Sequence, residues 1–322
     1  MISIIVVGRN DNYGGEFEAR LFATVGYNLE ECAKRGIDCE LVFVEWNPLA
    51  DRPLLSHKVT ETFDQARCFV VDEVIHRSVS QNRHIALFEF HAKNAGARRA
   101  RGEWLLLTNA DDYLGREVLD FLQQGNFDPD TLYRAGFIDI DGAGEIDHPE
   151  LIDAHFDDPP PFCYASGDFM FCSRSLFDRV GGYREDLAFT GLHMDSVFCH
   201  AVTDMTGRVR KVGKTYHLRH GRDEMSRRRL NYDWLKVDRS PQADYGLAKD
   251  CVTEEIAPRV TGLNPSAALL QAVAGKEPPE PQVPPNYRPP GWLLRRIRRP
   301  WWIGRRLYWR FRRHFALLPS VP

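Results

Sequence analysis

Three short stretches gather side chains with ligand or proton-transfer chemistry: Gly8-Arg9-Asn10-Asp11, Glu45-Trp46-Asn47 and Asn109-Ala110-Asp111-Asp112. The third carries the most. It follows the apolar climb "EWLLLT" and sets one amide and two carboxylates close together. Hard oxygen donors of this kind suit Mg²⁺ or Mn²⁺. The competing reading is a turn, because an Asp just before the helical pattern "YLGREVLDFL" would cap that helix. Both readings stay open for Asp111 and Asp112. Further along, Asp168 in "ASGDFMF" and Asp195 in "GLHMDSVF" are carboxylates able to handle a proton, and "YHLRHG" supplies His217 and His220. Asp195 could equally cap the helix that follows it, and the two histidines could be ordinary surface or core residues.

The elements that position these residues follow from periodicity. "ISIIVVG" is a β-branched run that reads as a buried parallel strand. Residues 16–35 have helical spacing (Phe17, Leu21, Val25, Leu29, Cys32), and Gly36 is a stop. "CELVFVEW" and "ARCFVVDEVI" read as the second and third strands. A helix around "HAKNAGARRARG" leads to a fourth, "EWLLLTN". Strand and helix alternating in this way predict an α/β fold, a mostly parallel sheet flanked by helices. Ligands of such sheets bind beyond the carboxyl ends of the strands, which is where the three polar stretches fall. "TLYRAGFIDID" and "RVRKVGKTYHLRH" read as later strands, "DFMFCSRSLFDRVGGY" as a strand and short helix, and "MDSVFCHAVTDMTG" as a helix. Residues 1–225 are read as the main domain, 226–274 as a partly helical extension, 275–291 as a linker with seven prolines, and 292–322 as a tail.

Composition narrows the class. Hydrophobic residues at 43% and charged residues at 27% allow a sizeable core, so a disordered chain is excluded. The net charge of −3 hides an asymmetry: ten arginines and no acid lie from Arg288 onward, leaving 32 basic and 45 acidic side chains in residues 1–287. On a helix from Pro300, Ile303, Leu307, Phe311, Phe315 and Leu318 share one face, and Arg305, Arg306, Arg310, Arg312 and Arg313 the other. This C-terminal amphipathic helical extension suits an anionic membrane surface. Docking on the body of the protein is the alternative, and nucleic acid is the least favoured partner. Seven cysteines without a C-x-x-C pair argue against a zinc knuckle and for a reducing compartment. "MISIIVVGRND" reads as a first strand rather than a signal peptide, and no apolar run reaches membrane-spanning length. A cytoplasmic, peripherally membrane-associated protein is expected.

The order of segments resembles the family 2 glycosyltransferases of the GT-A fold, over roughly Ile2 to Gly221. The pieces are "VVGRND", "VFVEW", "KNAGARRARGEWLLLTNADD" and "FDRVGGYREDL…GLHMDSVF". The resemblance implies a metal-dependent, inverting hexosyl transfer from a nucleotide-sugar, a UDP-sugar first among them, to a glycan or lipid-linked acceptor, as in polysaccharide biosynthesis. It assigns Gly8, Arg9, Asn10, Glu45, Lys93, Asn94, Arg98 and Asn109 to the donor. Asp111, with Asp112, His217 and His220, would hold Mn²⁺ or Mg²⁺. Asp195 would be the base and Asp168 an acceptor contact. Two positions depart from the family pattern: Asn109 stands where an acid is usual, and Met194 precedes Asp195 where a second acid is usual. Those departures motivate an alternative, a non-catalytic, membrane-associated binding or scaffold protein. For Arg98, Arg99 and Arg101 a solvated helix face is the competing reading.

Overall fold

The computed structural model describes residues 1–141, 162, 167–221, 230–249 and 251–288. The tail at 292–322, Cys163 and the polar loop 142–161 lie outside them. The chain forms two units, one of residues 1–230 with 238–282, the other of 231–237 with 283–322. In the smaller unit, two single 3₁₀ turns, Trp234–Lys236 and Pro285–Tyr287, are tied by the Asp233 amide donating to the Tyr287 carbonyl at 2.7 Å.

The larger unit begins as the hydrophobic pattern predicts. Strand β1 (Ile2–Gly8) is buried throughout, α1 (Phe17–Lys34) follows, and β2 (Cys39–Trp46) lies parallel to β1. Helix α2 (Leu55–Thr62) leads to β3 (Ala66–Val71), parallel to β2. The expected third strand stops at Val71. Asp72 caps an unanticipated helix, α3 (Glu73–Val79), by accepting from the Val74 amide at 2.7 Å. An Asp that can satisfy a helix's first amides ends a strand readily, even before apolar residues.

Helix α4 (Glu89–Arg99) then crosses back to β4 (Trp104–Leu107), which pairs in parallel with the opposite side of β1. The chain therefore reverses its winding direction between β1 and β4, and a crevice opens beyond their carboxyl ends. Gly96 sits where α4 meets the sheet: a Cβ there would lie 2.8 Å from the Ile5 Cγ2 and 3.1 Å from the Val44 Cγ2.

After β4 come β5 (Asp112–Leu114), α5 (Arg116–Gln124), β6 (Leu132–Ile140), β7 (Met170–Ser173), α6 (Arg174–Val180), α7 (Met194–Thr206) and β8 (Val209–Leu218). Within the partly helical extension expected at 226–274, β9 (Cys251–Ala257) and β10 (Val260–Pro265) form a hairpin, and the helix α8 (Ala267–Val273) follows it. β10 adds to β3 in parallel, extending the sheet. The ten strands run β5-β8-β6-β7-β4-β1-β2-β3-β10-β9. The central run from β4 to β10 is parallel, and both edges are mixed or antiparallel. No helix among the described residues is long and apolar enough to cross a membrane.

Candidate metal centre and proton-transfer cleft

Asp111 sits in the turn between β4 and β5, at the crevice. That turn is held from behind by α1. The Thr24 hydroxyl donates to the Ala110 carbonyl at 2.7 Å. The Asn28 amide donates to the Asp112 carbonyl at 2.8 Å and accepts from the Leu114 amide at 2.8 Å. Arg20, Thr24 and Asn28 are polar residues spaced one helical turn apart on the mainly apolar buried face of α1. That pairing is a sequence signal the apolar count alone misses.

Pairing of β5 with β8 sets Asp112 opposite His217 and brings Asp111 beside it. The Leu218 amide donates to the Asp111 carbonyl at 2.9 Å, which fixes the register at this end. One ligand atom each from Asp111, His217 and His220 lies within 4.8 Å of the others. The His217 Nε2 is 3.7 Å from Asp111 Oδ1, and the His220 Nε2 is 3.2 Å from Asp111 Oδ2.

The other nitrogen of each ring is already engaged. His217 Nδ1 is 2.8 Å from Asp139 Oδ1, and His220 Nδ1 is 2.8 Å from the Gly221 carbonyl. With each Nδ1 held from behind, both Nε2 atoms point inward at Asp111, and giving up a proton there would expose the lone pair that a metal-binding histidine requires. Asp139, on β6, was not anticipated; nothing in "FIDID" separates it from any acid near a strand end.

Burial opposes charge on His217, but the Asp139 hydrogen bond and the nearby charges of Asp168 and Asp111 outweigh it and raise its pKa to about 9. Burial likewise opposes charge on Asp111, yet the His220 hydrogen bond and the cationic His217 and Arg20 keep its carboxyl below the usual range. The three side chains fit a divalent cation by donor type, convergence and tautomer.

The loop between β1 and α1 closes over this cluster. The Tyr13 ring packs edge-on to His220 at 5.0 Å between centroids. The Gly221 amide donates to the Gly14 carbonyl at 3.1 Å. Gly14 has φ +66°, and a Cβ there would lie 2.4 Å from His220 Nδ1, so both its conformation and the close approach require glycine. Arg20 donates from its Nη1 to the Gly15 carbonyl and from its Nη2 to the Tyr13 carbonyl at 2.7 Å. The Arg20 Nε, buried and without a hydrogen-bond partner, stands 3.7 Å from Asp111 Oδ2.

Asp112 belongs to neither role expected of it. It lies in β5, while the N-cap of α5 is Gly115, so it caps no helix. Its carboxyl is fully buried and accepts from the Asn109 amide at 3.2 Å, outside the Asp-His-His cluster. Burial first, then the charges of Asp168 and Asp111, raise its pKa well above the carboxylate range, which favours a neutral acid.

A second group of charges is centred on Lys93, on α4. Its ammonium is wholly buried and donates to Glu89 Oε1 at 2.6 Å, Asn109 Oδ1 at 2.8 Å and the Gly167 carbonyl at 3.2 Å. All three of its protons are committed, which leaves none for a donor phosphate. Burial works against this charge, but Glu89, Asp195 and Asp168 outweigh it and hold the ammonium protonated. Asn109 continues the chain by donating to Asp168 Oδ1 at 2.6 Å. The amide at 109 thus has a physical reason: a second carboxylate there would meet Asp168 with no proton between them.

Asp195 is in the first turn of α7, whose N-cap is His193, so it is not the cap. Its Oδ1 is buried and has no hydrogen-bond partner among the described residues. Burial, with the charges of Glu89 and Asp168 against the opposing Lys93, raises its pKa to about 7. A cavity of about 240 Å³ is lined, among others, by Arg9, Tyr13, Phe17, Phe88, Glu89 and Met194, the residue before Asp195, but not by Asp195 itself. Tyr13 connects that cavity to His220, and Glu89 connects it to Lys93.

Several residues expected at a donor have structural partners instead. Both Glu45 oxygens are taken by α2: Leu55 N at 3.0 Å, and Ser56 N and Oγ at 2.8 Å each. A carboxylate there satisfies orphan amides and faces the positive end of the helix. Burial nonetheless raises its pKa. The Asn10 side chain is spent on Leu49, Arg52 and Pro53, and Asn94 on Tyr183 and Glu185. Arg98 is exposed and binds the carbonyls of Ala243 and Tyr245, and Arg99, half-buried, binds those of Ala95, Gly246 and Leu247; Arg101 is exposed, as a solvated face would have it. Gly8 is buried against the Phe17 and Phe43 rings. Arg9 reaches the cavity while donating to the Asn47 carbonyl at 2.6 Å and Asp11 at 2.8 Å.

No protein-family model matches the sequence, and no curated protein matches it. Solved structures similar to the chain include GalNAc-T7 with UDP, GalNAc and Mn²⁺, at 12% identity and a TM-score of 0.46, covering 69% of this chain and 44% of that one. The mannosyltransferase PcManGT from Pyrobaculum calidifontis, in complex with GDP-Man and Mn²⁺, is 17% identical with a TM-score of 0.45, over 68% of this chain and 56% of that one. The catalytic domain of Drosophila β1,4-galactosyltransferase 7, in complex with xylobiose, is 13% identical with a TM-score of 0.43, over 82% and 92%. The chain spans about half the length, or less, of the first structures it resembles.

Proposed function

We propose that the chain is a metal-dependent glycosyltransferase acting on a nucleoside diphosphate sugar. One observation carries the reading: Asp111, His217 and His220 converge at the reversal point of the sheet with both Nε2 atoms directed inward, and Tyr13 joins His220 to the cavity lined by Arg9 and Met194. A divalent cation held there would offset the negative charge of the departing diphosphate. Arg9 and the aromatic wall of the cavity would contact the donor or acceptor. Asp195, poised near neutrality, would take the proton of the attacking acceptor hydroxyl. Attack opposite the leaving group would invert the anomeric centre.

UDP-sugars are the first donors to try. The tail at 292–322 would bring the chain to an anionic membrane face on the cytoplasmic side, next to a glycan or lipid-linked acceptor of polysaccharide synthesis. Purified protein is to be incubated with UDP-, GDP- and dTDP-sugars and Mn²⁺, with diphosphate release followed. Turnover above an Asp111→Ala control supports the reading. No binding and no release with any donor would remove it.

A further inference from the structure

The cation site has one carboxylate and two imidazoles among its three ligand side chains. Asn109 carries no charge, and the further acid Asp139 stands behind His217, its Oδ1 2.8 Å from Nδ1. Arg20 adds a permanent positive charge 3.7 Å from Asp111 Oδ2, on a side chain only a tenth exposed. Its two terminal nitrogens are committed to the Tyr13 and Gly15 carbonyls, so the guanidinium is held in place, and the unpartnered Nε faces the carboxylate. Asp111 already faces Arg20, so a dication arriving alone would meet a fixed positive charge beside its one carboxylate ligand.

We infer that Arg20 sets the order of assembly: it keeps the site weak for a free divalent cation and makes binding depend on the diphosphate that brings negative charge with it. The inference rests on the metal-site reading above. Arg20 is a charge-setting residue in it, acting on the cation through Asp111. Removing a unit charge within about 4–5 Å of a partly buried ion shifts affinity by about tenfold or more. The two carbonyl contacts have a separate structural effect, which charge-retaining and charge-removing substitutions distinguish.

The test is Mn²⁺ affinity of the full chain, measured by electron paramagnetic resonance, alone and with UDP, GDP or dTDP. Wild type, Arg20→Lys, Arg20→Gln and Arg20→Met are compared. Expected for the wild type is weak binding of Mn²⁺ alone and at least about tenfold tighter binding with a cognate diphosphate. Both neutral variants should bind Mn²⁺ alone at least about tenfold more tightly and lose most of the diphosphate dependence. Arg20→Lys should track the wild type although its carbonyl contacts are disturbed. Unchanged or weaker affinity in a folded neutral variant overturns the inference while leaving the metal site intact, as does a lysine variant that behaves like the neutral ones. Tight Mn²⁺ binding by the wild type without diphosphate also overturns it. Absence of Mn²⁺ binding by the wild type under every condition removes the metal site itself, and the inference with it.

Discussion

On one side of the crevice Asp111 shares its carboxylate with two imidazoles whose inner nitrogens both face it. On the other, Lys93 has every proton assigned, to Glu89, Asn109 and Gly167. The two groups approach each other through Asn109 and Asp168. They differ in what their inward atoms can do. Side chains whose ligand atoms converge on one point can take up an ion, whereas a lysine with every proton committed can only brace what surrounds it. The comparison also explains why two adjacent carboxylates diverge: Asp111 faces cations and stays ionised, while Asp112 faces acids and favours its protonated form.

Four measurements would break or sharpen that contrast. The largest effect is expected from Asp111→Ala. Mn²⁺ binding should be abolished and transfer, assayed as nucleoside diphosphate release, should fall by about three orders of magnitude or more, with the fold intact by circular dichroism. Lys93→Met should act on the other side. Urea unfolding should show a loss of about 3–5 kcal/mol, because removing one partner strands buried acids, and Mn²⁺ affinity should stay within a few-fold. Mn²⁺ binding as weak as that of Asp111→Ala in a folded Lys93→Met protein would merge the two clusters into one.

Asp139→Asn comes next, with a loss of about 10–100-fold in metal affinity by titration, since His217 loses the carboxylate that orients it. The smallest effect is in the pH profile. Asp195 must be ionised to accept a proton and titrates near 7, so kcat/KM should rise about tenfold per unit as pH increases toward 7 and then level off. A profile without that inflection, or one retained in Asp195→Asn, would assign the proton elsewhere.

How far the sequence could be read depended on what each residue contacts. Strands β1, β2 and β4 were legible because both faces are covered and their apolar runs are continuous. β9 was not: five of its seven residues are exposed, and it exists through its pairing with β10. At the site, Asp111, His217 and His220 could be nominated because oxygen and imidazole donors at element ends are uncommon enough to notice. Their convergence depends on β5 pairing with β8, a contact across about a hundred residues that periodicity does not encode. Glu45, Asn10 and Asn94 look like ligand contacts on the page because the same polar side chains serve helix ends and loop carbonyls. Only their partners tell the uses apart.

Gly14 shows how a residue with no chemistry can govern one with much. Its missing side chain leaves room for the His220 ring, and its carbonyl receives the Gly221 amide, so two loops over two hundred positions apart meet at one point. A single methyl at position 14 would push the imidazole aside, and the damage would surface as a lost ligand just past a strand that the altered residue never joins.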